Sequence, residues 1–109
     1  MKWSNWEKFP DPGMADYLSA PFGMGIYQLR NKKTKELVLF GSGKNLAYRM
    51  TSLLPKPFGC GTRNNQQKRN YVLKHLENIE YRTMPFLCKN EMRQFENKIK
   101  LDNNHIFNT

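Results

Sequence analysis

The stretch Gly25–Arg49, GIYQLRNKKTKELVLFGSGKNLAYR, leaves this chain few choices of fold. Two apolar runs, Gly25–Leu29 and Leu37–Phe40, flank the polar run Arg30–Glu36, a pattern that predicts a β-hairpin. Leu37–Phe40 is apolar on both faces and reads as a central strand. Gly41-Ser42-Gly43 stops it. Leu46, Met50, Leu53 and Leu54 then recur at helical spacing, which predicts a helix over about residues 44–54. This order puts Tyr27 on the first strand and Arg49 one turn into the helix. At about 100° per residue Arg49 lies roughly 60° to one side of Leu46, on the margin of the buried face.

The rest of the chain adds to this unit. Residues 1–24 carry Trp3, Trp6, Phe9, Tyr17 and Phe22 among Pro10, Pro12, Gly13 and Pro21. Prolines at that density forbid a long helix, so the segment reads as an arm anchored on the core by its aromatics, with packing favoured over base stacking. Residues 25–109 form the domain proper. The tip Asn31–Lys35 is a solvated turn with three lysines. Pro55 and Pro57 end the first helix, and the glycine-spaced loop Phe58–Asn65 follows without a phosphate-loop signature. A second helix, about 65–76, buries Val72, Leu73 and Leu76 and leaves Lys68, Arg69 and Lys74 to solvent or a phosphate backbone. Ile79–Met84 alternates and reads as a third strand. The last helix, about 90–101, has Met92, Phe95 and Ile99 as its stripe. Glu96 and Glu91 flank that stripe on either side, and periodicity does not choose between them.

Composition bounds function in two ways. At 109 residues and 39% hydrophobic content the chain is long enough for one folded domain. It has no run near the ~18 apolar residues of a membrane span and no signal-peptide pattern. Cys60 and Cys88 form no CxxC pair and only two histidines are present, which argues against zinc and for a cytoplasmic chain with free thiols. Eighteen Lys and Arg against nine Asp and Glu give a net charge of +9, with a pI near 9.8. Such a balance favours a polyanionic partner through counterion release.

In sum these motifs resemble the GIY-YIG nuclease superfamily over about residues 25–108. Gly25-Ile26-Tyr27 matches the first motif and Leu39-Phe40-Gly41 aligns with the second. Arg49 falls on the helix arginine. Gly41–Leu46 is similar to the glycine turn and helix entry, Glu96 matches the metal-binding glutamate, and Phe107-Asn108 the closing pair. The resemblance lifts Glu96 over Glu91. It implies an α+β fold, a small three-stranded antiparallel sheet flanked by helices, with the site on one sheet face. It also implies DNA phosphodiester hydrolysis with one Mg²⁺ or Mn²⁺ on Glu96. Arg49 would stabilise phosphate charge and Tyr27 would orient or deprotonate the water. Gly25, Gly41 and Asn108 would support the site. The departure is Leu39, which stands where the second motif has its tyrosine, and Ser42 stands where a basic residue often follows. A leucine neither holds a water nor accepts a proton. Tyr48 and Tyr17 are the other phenols available to replace it.

Three functions follow as expectations. The first is a cytoplasmic, metal-dependent DNA endonuclease in which Lys44, Arg63, Lys68 and Arg69 grip the backbone; RNA is not excluded, and target selection falls to the arm, a dimer or a protein partner. The second is a nucleic-acid-binding module of the same fold with weak or no turnover, which Leu39 favours. The third is a protein-interaction domain whose charge meets an acidic partner.

Overall fold

The computed structural model describes residues 3–9, 23–46, 50 and 66–107. In chain order these form β1 (Glu7–Lys8), β2 (Gly25–Asn31), β3 (Leu37–Gly43), helix α1 (Gln66–Lys74), a single 3₁₀ turn (Leu76–Asn78), β4 (Ile79–Pro85), helix α2 (Lys89–Asp102) and β5 (His105–Phe107). The architecture is α+β, a mixed sheet of five strands in the order β1-β4-β2-β3-β5 with two helices among the described residues. Strands β3, β2 and β4 form an antiparallel centre; β1 joins β4 antiparallel and β5 joins β3 parallel. The expected three-stranded antiparallel sheet is therefore corrected. Both edges of the antiparallel centre carry unpaired backbone groups, and two short segments from opposite ends of the chain take them up.

The hairpin is held by its polar turn. Asn31 is buried at 3% exposure. Its Oδ1 accepts from the amides of Lys33 and Thr34 at 2.9 and 3.2 Å, while its Nδ2 donates to the Tyr71 hydroxyl at 3.2 Å. Lys35 completes the turn at φ 65°, a conformation that costs a non-glycine residue about 1 kcal/mol. Leu29 pairs with Leu39 but Arg30 pairs with Leu37, so Val38 is the extra residue of a β-bulge. The bulge puts Val38 and Leu39 into the same core.

Strand alternation divides the sheet into two faces, each with its own core. On the first, Tyr27, Leu29, Val38 and Leu39 pack with Phe9, Leu46, Met50, Val72, Ile79 and Tyr81. On the second, Ile26, Phe40 and Met84 pack with Phe86 and with Met92 and Ile99 of α2. Each fully buried Leu, Ile or Phe contributes roughly 1.5–3 kcal/mol, so both layers hold the sheet. Helix α2 stops at Asn103, whose left-handed φ of 51° lets its amide reach the Lys100 carbonyl at 3.2 Å. Beyond Leu46 and Met50, which are fully buried, the first expected helix lies outside the described residues. No helix among the described residues is long and apolar enough to cross a membrane.

Candidate functional site

Tyr27 sits in the centre strand, opposite Gly41 on β3 and Thr83 on β4. Its ring crosses directly over Gly41, where a Cβ would lie 2.5 Å from Cζ and 2.7 Å from Cε1. Only a residue without a side chain fits under the phenol. At Gly25 a Cβ would meet the Met84 carbonyl oxygen at 2.7 Å, so both motif glycines are required by close packing, with no positive φ at either. Tyr27 is itself 7% exposed and belongs to the first core. Leu39 lies diagonally across from it on the same face and has no solvent exposure. It is a core residue.

Glu96 is on α2, half-buried, between Met92 and Ile99, which pack into the second core. Tyr27 faces the first core and the helix that carries Glu96 packs on the second, so the two residues belong to opposite faces of the sheet. Arg49, Arg63, Asn108, Tyr17 and Tyr48 lie outside the described residues. Lys44 is exposed just after β3, and Lys68 is half-buried on α1. Arg69, expected at the surface, is 5% exposed. It shares a helix face with Val72 three residues on, so burying Val72 draws Arg69 inward, and it is withdrawn as a backbone-gripping residue.

Mg²⁺ is usually held by one or two carboxylates together with substrate phosphate. Among the described residues no group of three or more His, Cys, Asp or Glu converges. Glu96 has Arg93 and Lys100 as its i−3 and i+4 neighbours on α2, two cations within reach of its carboxylate. A single carboxylate with substrate phosphate is within what Mg²⁺ accepts, so among the described residues Glu96 is the one that would hold an ion.

The most polar place on the sheet is one the sequence did not single out. At the Arg30 end of the second face, the strands carry Gln28 and Arg30 beside Glu80 and Arg82. Arg30 is paired with Glu80, Nη2 to Oε1 at 2.8 Å and Nε to the same oxygen at 2.9 Å. Arg82 Nε donates to Gln28 Oε1 at 2.7 Å. That bond orients the amide so that its Nε2 donates to His105 Nε2 at 2.9 Å. The imidazole proton is then on Nδ1, which is buried without a partner. Burial first, and the nearby Arg82 charge second, lower the His105 pKa from 6.5 to about 4. Burial, then Arg30, also holds Arg82 below the usual guanidinium range. The arm closes this end: Trp6 lies over both guanidiniums, 4.3 Å from Arg30 Cζ and 4.5 Å from Arg82 Cζ, and Trp3 lies 4.4 Å from Arg82 Cζ. Alternation along Gly25–Arg30 put Gln28 and Arg30 on one face, but nothing in the sequence paired them with residues fifty positions away.

No family model, no curated protein and no solved structure matches this chain.

Proposed function

We propose that this chain is a basic nucleic-acid-binding module with a GIY-YIG-like core and little or no turnover of its own. The observation that carries this reading is the separation of Tyr27 and Glu96 onto opposite faces of the sheet. Hydrolysis of one phosphodiester needs the water-handling group and the ligand of the ion at one phosphorus, within a few ångströms of each other. Leu39 compounds the difficulty, because its position is dry core rather than a water site. What remains of the family's requirements is charge. A net +9 gives affinity for a phosphate backbone without any catalytic geometry.

The nuclease reading retains one observation in its favour: the tyrosine of the first motif and the glycine of the second are in direct contact, as parts of one unit. On that reading Glu96 would hold Mg²⁺ or Mn²⁺, with Arg49 on the phosphate, and DNA would be the substrate.

Binding to a labelled DNA duplex between about 50 and about 200 mM salt tests the proposal. A log–log salt slope of about −0.9 per phosphate neutralised is expected, with Lys44→Ala and Lys68→Ala each making it shallower by about 0.9. Absence of binding at the lowest salt, by duplex and single strand alike, would overturn it and favour an acidic protein partner.

A further inference from the structure

The second face of the sheet is divided. Its apolar part, Ile26, Phe40 and Met84, is roofed by α2. Its other part carries Gln28, Arg30, Glu80 and Arg82, and the groups lying over it are the indoles of Trp3 and Trp6. Trp3 also packs against the apolar cluster of this face, whereas Trp6, resting on polar strand residues, gains little from apolar burial. It gains from the guanidiniums beneath, through cation–π contact. Those guanidiniums are fixed in direction, Arg30 by Glu80 and Arg82 by Gln28, so the rings above them are fixed as well. Trp3 is further set by edge contact with Phe95, centroids 6.0 Å apart. Both indoles nonetheless keep part of their surface in solvent.

A rigid, partly exposed aromatic surface backed by cations is what an unpaired base stacks on. Lysines lie at its rim, beside Glu36 in the same turn and Glu80 on β4. Lys8 faces Glu80 in the β1–β4 register, and the exposed Lys32, Lys33 and Lys35 occupy the turn into which the Arg30 end of β2 runs. The Lys32 amide ties that turn to the Asn78 carbonyl at 2.6 Å, beside the start of β4. Cations at the rim of a stacking surface suit the backbone of a strand whose bases lie on the rings.

Resting on the nucleic-acid-binding reading above, we infer that Trp3 and Trp6, held on Arg30 and Arg82, are a stacking platform for the bases of single-stranded nucleic acid. A duplex uses it little, since all its base faces except the two at its ends are covered by their neighbours. It meets chiefly the lysines. The arm then serves the ligand as well as the fold: Phe9, fully buried in the first core, and the β1 pairing anchor the segment, and the tryptophans three and six residues earlier work on the opposite face.

Trp3 and Trp6 are the only tryptophans in the chain, so indole fluorescence reports on this site. The full chain is titrated with oligo-dT and oligo-rU of about 12 nucleotides, within the span of known single-strand sites, and with a duplex of equal length. Fluorescence is read beside the anisotropy of an end label. Both single strands, or one of them, are expected to bind with quenching, and the dT and rU arms tell DNA from RNA. The duplex is expected to bind without quenching. Trp6→Leu should weaken single-strand binding about tenfold or more, as loss of a stacked base does, and leave duplex affinity within about twofold. Trp6→Phe should recover most of the loss. Single-strand binding without quenching would overturn the platform while the binding module stands. So would equal weakening of single strand and duplex in Trp6→Leu, the sign of a packing role. If neither oligonucleotide nor duplex binds, the binding module itself fails. Quenching by polyglutamate alone would assign the face to an acidic protein. The wild-type quenching decides the matter even if Trp6→Leu does not fold.

Discussion

Replacing Gly41 with alanine isolates one contact and gives it a sign and a size. The backbone at Gly41 has no positive φ, so alanine carries no conformational penalty there. In a strand it is favoured over glycine by roughly 0.5–1 kcal/mol. The cost is steric. The new Cβ would lie 2.5 Å from Tyr27 Cζ and 2.7 Å from Cε1, about 1 Å inside the optimum for carbon atoms. Tyr27 is 7% exposed and enclosed by the first core, so its ring moves away only by compressing neighbours. Overpacking of this kind costs about 1–3 kcal/mol; at a ring this enclosed the upper half of that range applies, for a net loss of about 1–2 kcal/mol after the gain in strand propensity. With a urea m-value of about 1.5 kcal/mol/M, the unfolding midpoint should fall by about 1 M. Tyr27→Leu removes Cε1, Cζ and the hydroxyl, the three atoms that meet the new Cβ. In that background Gly41→Ala should cost nothing or stabilise slightly, a coupling of about 1–2 kcal/mol in the double-mutant cycle. Equal losses in the two backgrounds would show that the glycine is required by something other than the phenol.

Leu39→Tyr, which places a tyrosine where the second GIY-YIG motif has one, should lower stability by about 1–3 kcal/mol because it overfills a fully buried position. It should yield no nicking activity; a plasmid assay and a urea melt check both. Arg69→Ala should cost about 2 kcal/mol or more and leave the salt slope of DNA binding unchanged, as befits a residue 5% exposed. His105 sets a pH dependence. Its pKa is about 4 in the fold against an ordinary 6.5, so the unfolded chain takes up a proton in that interval and the folded chain does not. Its contribution is fully present above about pH 6.5 and is lost progressively as pH falls toward about 4. Urea melts across that range should show this slope reduced in His105→Asn, and an unchanged slope would refute the assignment.

The antiparallel centre was legible in the sequence because its signals extend over six or seven residues. The hairpin runs Gly25–Leu29 and Leu37–Phe40 became β2 and β3, each carried slightly further by pairing, and Ile79–Met84 became β4. The edge strands were not legible. Glu7–Lys8 and His105–Phe107 are two and three residues long, too short for any period, and they exist because β4 and β3 offered open edges. Arg69 was misread because three apolar residues were assigned to the α1 face. The helix turned Val72 inward and left Leu73 and Leu76 half-buried, which brought Arg69 in. Glu96 was placed correctly on the flank of its helix stripe, yet which side of the sheet that helix covers is a tertiary choice. Sequence spacing says nothing about it. The Arg30–Glu80 and Gln28–Arg82–His105 contacts span 50 to 77 residues and arise only from register.

The separation of Tyr27 from Glu96 is open to a single test. Supercoiled plasmid is incubated with the chain at concentrations that saturate binding, in Mg²⁺ and in Mn²⁺, with EDTA and Glu96→Gln run alongside. Retarded but fully supercoiled DNA is expected in every lane. Relaxed or linear product that disappears with EDTA and with Glu96→Gln would contradict it, and would mean that Glu96 and a water-handling group meet at one phosphate after all.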